Sequence, residues 1–229
     1  MKFKSPLLSQ ASGSLAGNTF SRNKGGMYIR ARATPTNPNS TFQAAVRALM
    51  SQLSTVWSSV MTQVQRDAWD LYAANTPLVD TLGESRPVTG LNMFTRFNVP
   101  ALQSGLIATA KLAAPAIFNL GDYTAPAIDD INVGDQEIDI SFDNTDDWAK
   151  AAGNALLIYV SRPMNPSINF FKGPYRYAGK VVGAATAPTS PASIPLPFVV
   201  AAGQKLFIKA SVARSDGRMS SPFRDGQLA

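Results

Sequence analysis

The chain contains no cysteine and no histidine. Without thiols there is no disulfide and no thiolate nucleophile. Without imidazole the commonest general base is missing, and with both gone so are the usual zinc and copper ligands. A Ser-His-Asp triad cannot be assembled from these residues, and a secreted domain stapled by disulfides is excluded. Long apolar runs are also missing: none approaches the ~18 residues that a membrane-spanning helix needs, so no span is expected. The start, MKFKSPLLSQ, is basic but offers only Pro6-Leu7-Leu8 where a secretory signal carries a longer apolar stretch. No Gly-x-x-x-x-Gly-Lys-Ser/Thr phosphate loop occurs. Gly13-Ser14-Leu15-Ala16-Gly17 lacks the third glycine and the preceding strand of a dinucleotide site. Acids are absent from the first 66 residues, which hold eight cations: Lys2, Lys4, Arg22, Lys24, Arg30, Arg32, Arg47 and Arg66.

What is present is a globular composition. Of 229 residues, 45% are apolar and 16% charged, which is too apolar for wholesale disorder and enough for one large domain or two small ones. Sixteen glycines and sixteen prolines favour strands and turns over a pure helix bundle. The net charge is +6, which permits a polyanionic partner. Its distribution is uneven, because residues 122–147 carry nine acids and no cation. Either these are two solvated faces, or the basic arm docks on something acidic, such as nucleic acid or the acidic segment of a neighbouring copy.

Residues 1–38 read as an extended basic arm. Asn23-Lys24-Gly25-Gly26 is a turn signal. After it, Met27 to Arg32 favour a strand, with Tyr28, Arg30 and Arg32 on one face and Met27, Ile29 and Ala31 on the other. Before it, Asn18-Thr19-Phe20-Ser21 supplies a partner strand. An isolated hairpin is marginal in water, so this one is expected to gain order by packing on another surface. Arg22, Lys24, Tyr28, Arg30 and Arg32 form the candidate partner-binding set.

Residues 39–112 read as a helical region. Ser40 and Gln43 fit a capping box, and Phe42, Val46, Leu49, Leu53, Val56/Trp57, Val60 and Val64 form one apolar stripe. A second box at Thr62 and Gln65 predicts a break near Met61. Ala68, Leu71 and Tyr72 then share a face with Trp69 beside it. A third helix is expected over 91–103, capped by Thr89, with Leu91, Phe94, Phe97 and Leu102 inward and Pro100 kinking or shortening it. Residues 113–127 read as a linker, within a proline-bearing stretch that alternatively forms a first edge strand.

From 128 to 229 the period changes to two. Ile138, Ile140 and Phe142 alternate with polar residues, and NALLIYVS (154–161) is continuous enough for a central strand. Further strands are expected over 175–182, over the proline-rich 193–199 at an edge, over 205–214, and over 219–223 as a short closing strand. The class is α+β: an arm, a small helical region and a C-terminal antiparallel β-sandwich of immunoglobulin or fibronectin type III kind.

Chemical motifs are sparse. Asp135, Glu137 and Asp139 alternate and could share a face toward a hard cation, but a solvent-facing edge is the favoured reading. Asp143-Asn144-Thr145-Asp146-Asp147 reads as a polar loop. Neither catalytic residues nor a cofactor are assigned.

Two resemblances add to this. The last 100 or so residues resemble a fibronectin type III module in their proline-rich entry, ISFDNT, LLIYVS and KLFIKASVARSDGRMSSP. The first 75 residues resemble a small protein found among tailed-phage virion genes and related prophage elements, through TFSRNKGGMYIRARATPTNPNSTFQAAVR and QRDAWDLYA. The resemblance implies a non-enzymatic virion structural protein of the head, neck or tail. It would be assembled in the host cytoplasm, with other virion proteins and copies of itself as partners and no membrane. Nucleic-acid binding by the arm is the alternative.

Overall fold

The computed structural model of the chain describes residues 11–23, 26–34, 36–79 and 83–229. It is an α+β protein with antiparallel sheets.

The arm folds as a small sheet of three strands, β1 (Gly13–Leu15), β2 (Asn18–Asn23) and β3 (Gly26–Ala31), in the order β1-β2-β3. Ala16 and Gly17 join the first two with φ of 44° and 81°. Two consecutive left-handed residues match the right-handed twist of a tight hairpin, and glycine takes the second position without steric cost. The second turn signal falls on Lys24 and Gly25, which lie outside the described residues; β2 and β3 pair up to Asn23 and Gly26. Beyond β3 the described residues of 32–40 are exposed.

Helix α1 (Thr41–Thr55) starts at Ser40, whose hydroxyl accepts from the Gln43 amide at 3.4 Å. It runs into a single π-helical turn, Val56–Val60, and ends where Met61 turns extended. Helix α2 (Gln63–Asn75) then begins with a full capping box. The Gln65 amide donates to the Thr62 hydroxyl (3.3 Å), and the Thr62 amide donates to Oε1 of Gln65 (2.9 Å). Two short strands, β4 (Leu78–Val79) and β5 (Ser85–Arg86), pair before α3 (Gly90–Gln103), which is capped by Thr89. Pro100 stays inside α3, and the helix continues past it to Gln103 rather than stopping before it.

These helices enclose Leu53, Met61, Trp69, Tyr72, Ala73, Met93 and Phe94. Two expectations about faces need correction. On α2 the buried set is Trp69, Tyr72 and Ala73, while Leu71 is 55% exposed. The largest rings decide the rotation: Trp69 meets Phe94 edge-on at 5.7 Å and Tyr72 at 5.9 Å. The long stripe through α1 is buried at Leu53, half-buried at Val46, Leu49, Val56 and Trp57, and open at Phe42, Val60 and Val64. The π-turn and the extended Met61 change the helical phase, so residues in register along a straight helix do not share a face across this break.

The remaining strands are β6 (Ala127–Asn132), β7 (Glu137–Ser141), β8 (Ala155–Ser161), β9 (Tyr175–Val182), β10 (Ala192–Pro195), β11 (Lys205–Ala213) and β12 (Phe223–Leu228). They form two antiparallel sheets, ordered β10-β7-β6 and β12-β11-β8-β9. The sheets share one core, with Ile128, Ile138, Ile140 and Ile194 from the first and Leu156, Ile158, Ile208 and Val212 from the second. The closing strand starts later than expected. Met219 makes a single bridge to Ala213, and β12 begins only after Pro222, which cannot donate to a ladder.

The continuous apolar run of β8 has its reason here: both faces of the strand are covered. Leu156, Ile158 and Val160 face the opposite sheet, while Ala155 and Leu157 pack with Ala213 and Met219 against Phe97 and Ala101 of α3. Polar side chains reinforce this seam. Lys180 donates to the carbonyls of Ser104 (2.9 Å) and Gly105 (2.8 Å) at the end of α3, where a cation is favoured. Arg96 donates to the carbonyls of Met219 and Ser220.

Residues 113–127, expected as a linker, have no regular structure before β6, yet they are tied to both parts. Leu112 and Asn119 carbonyls accept from Trp69 Nε1 (2.9 Å) and the Tyr72 hydroxyl (2.8 Å), and Ala114 and Leu120 pack on the helical core. Arg214 reaches the Asp122 carbonyl at 2.7 Å from the β side.

Candidate interaction surface

The ladder of the arm sets which side chains share a face. Thr19 pairs with Arg30 and Ser21 with Tyr28, so these four lie on one side. The Arg32 amide donates to the Gly17 carbonyl at 2.7 Å and continues the ladder, which by alternation places Arg32 with Tyr28 and Arg30. The other side holds Phe20 paired with Ile29, Arg22 paired with Met27, and Leu15. Arg22 is therefore separated from Arg30 and Arg32, although the chain lists them within a few residues of one another. Lys24 lies outside the described residues.

One face is thus polar and cationic, with Arg30 and Arg32 exposed beside a half-buried Tyr28. The other is mainly apolar: Phe20, Met27 and Ile29 are half-buried, and Leu15 is 72% exposed. The outer edges of β1 and β3 pair with no other described strand. A sheet this small depends on covering its apolar face, and open edges are templates for further pairing.

A second concave feature lies between the helices and the outer face of the larger sheet. It is a cleft of about 460 Å³ with Met50, Val99, Pro100, Leu157 and Met219 among its walls. Lys209 enters it from β11, with Tyr159 opposite on β8 and Arg224 opposite on β12. Ser211 and Arg96 also line it. Desolvation, with the nearby Arg224 and Arg96 guanidinium groups, pulls the Lys209 ammonium below its usual value. Desolvation, with some repulsion from Tyr177, pushes the Tyr159 hydroxyl up to about 12, so it stays a neutral donor. Sequence reasoning missed this group. Its trace is the outer face of β11, where Lys205, Phe207, Lys209 and Ser211 alternate with Leu206, Ile208, Ala210 and Val212 of the sandwich core, but neither Arg96 nor Tyr159 is near it in the chain.

Among the described residues no three of His, Cys, Asp and Glu are grouped to hold a metal ion. Asp135 accepts from the Asn132 amide group at 2.6 Å within its turn, while Glu137 and Asp139 stand on β7. The acidic loop holds itself together. Asp143 accepts from the backbone and hydroxyl of Thr145, Asp146 from Thr124 and the Trp148 ring N–H, and Asp147 from Arg214. Ser21 and Lys24 have Ser-x-x-Lys spacing, but Ser21 lies in an extended strand rather than on a helical turn that would bring such a pair together. No described helix is long and apolar enough to cross a membrane. Comparison of the chain with models of protein families, with curated proteins and with solved structures finds no match.

Proposed function

We propose that the chain is a non-enzymatic structural or assembly protein of a tailed-phage virion, which contacts neighbouring subunits through its basic arm. The observation that carries this reading is the arm itself. Its three strands pair with one another, Leu15 on its apolar side is 72% exposed, its outer edges pair with no other described strand, and the described residues of the connector to α1 are exposed. A surface of that kind suits docking on a neighbouring subunit, and multivalent contacts amplify a modest affinity in a lattice. The finer reading of the β part as a fibronectin type III module draws support from its topology. Its first, second and fifth strands face its third, fourth, sixth and seventh, which is the arrangement in such modules.

Deleting residues 1–36 tests this. The expected product is soluble, has near-native circular dichroism and no longer enters particles or self-associates at high concentration. An unfolded product would make the arm part of the core, and normal incorporation would remove its assembly role. The nucleic-acid reading is separated by titrating the full chain with DNA at several salt concentrations. Phosphate contacts through Arg30 and Arg32 would give an affinity that falls steeply with salt, whereas a protein-docking arm shows weak binding without sequence preference.

A further inference from the structure

We propose that the cleft between α3 and the larger sheet is a binding site for one small carboxylate with an apolar body. The donor set points to it. Lys209, Tyr159 and Ser211 all line the cleft, bringing an ammonium and two hydroxyl groups to one wall. Arg96 stands beside them with both terminal nitrogens committed to the Met219 and Ser220 carbonyls, so it contributes charge to the site rather than a free fork. Among the described residues no Asp or Glu lines the cleft.

The charge placement has no structural reward. Lys209 stands directly opposite Arg224 on the neighbouring strand, and like charges in that position are destabilising. An ammonium half-buried beside two guanidinium groups, with no described carboxylate in the lining, makes a local positive potential that suits an anion. One ammonium with two neutral hydroxyl donors matches a single negative charge. The walls of Met50, Val99, Pro100, Leu157 and Met219 match an aliphatic or aromatic body, and the volume lies within the roughly 300–1,000 Å³ of small-ligand sites. Such a carboxylate could belong to a free solute or to an acidic side chain or C-terminus of another copy. This inference does not depend on the role of the arm.

The probe is hexanoate, with hexan-1-ol and hexylammonium as controls, followed by amide NMR of the full chain. Hexanoate is expected to bind saturably and shift the amides of residues 157–159, 209–211 and 96–100, with weaker effects of hexanol and none of hexylammonium. Lys209→Met should lower hexanoate affinity about ten- to a hundredfold, the worth of a hydrogen bond to a charged group, and Lys209→Arg should restore most of it. Without ligand, Lys209→Met should melt at the native temperature or higher, because it removes a repulsive charge. Sedimentation at rising protein concentration separates the sources. Self-association reversed by hexanoate assigns the carboxylate to a second copy, and its absence assigns it to a free solute. Equal shifts with hexylammonium, or undiminished hexanoate binding by a folded Lys209→Met chain, would overturn the proposal.

Discussion

Arg214 is 5% exposed, yet it carries a charge at the place where the 113–127 segment meets the β part. Its guanidinium donates to Asp147 at 2.7 Å and to the Asp122 carbonyl at 2.7 Å. The hydrogen bond from Arg214 is the main cause that holds the Asp147 carboxyl below the usual carboxylate range. A depressed native value stabilises the fold when the pH is well above the ordinary 3.8, and that contribution is lost as the pH falls through 3.8 toward the native value. Asp147 is itself 74% exposed, so solvent screens the pair. Asp147→Asn is expected to cost at most about 1 kcal/mol at neutral pH and to flatten the acid limb of a stability–pH profile measured by urea unfolding. An unchanged acid limb would remove Asp147 from that role. Nothing in DNTDD signals this partnership, because Arg214 is distant in the chain. The capping residues Ser40, Thr62 and Thr89 were legible because a cap acts within three residues of itself.

At the scale of elements, periodicity located the helices and strands but not which part of a stripe is covered. Phe42 and Leu53 belong to the same sequence stripe on α1. Leu53 is fully buried, whereas Phe42 is 58% exposed and lies 4.6 Å beneath the Arg176 guanidinium. Leu53→Ala should therefore destabilise by about 2–5 kcal/mol, and Phe42→Ser by no more than about 1 kcal/mol. Denaturant midpoints at equal m-values compare them. Equal losses would mean that the first turns of α1 are covered in solution. The arm divides in the same way: pattern alone predicted the face that carries Tyr28, Arg30 and Arg32, and the strand register then placed Arg22 on the opposite side.

For the whole molecule, the helical and β parts are docked through α3, whose Met93 and Phe94 enter one core while Phe97 and Ala101 enter the seam. Limited proteolysis should cut first in the 32–40 connector, whose described residues are exposed, and leave a resistant fragment containing both parts, resolved by mass spectrometry. Early cleavage within 113–127, releasing the β part alone, would contradict the docking. What the chain determined by itself is local: caps, turns, the two periodicities, the basic arm, and the chemistry excluded by the lack of His and Cys. These follow from backbone sterics and from side chains within a few positions of each other. Tertiary structure decided the rest. It set the phase lost at the π-turn, the tying-down of 113–127, the burial of both faces of β8, and the meeting of Lys209, Tyr159 and Arg96. Each depends on contacts between residues far apart in the chain, and no local pattern encodes which apolar surfaces will find each other when the chain collapses.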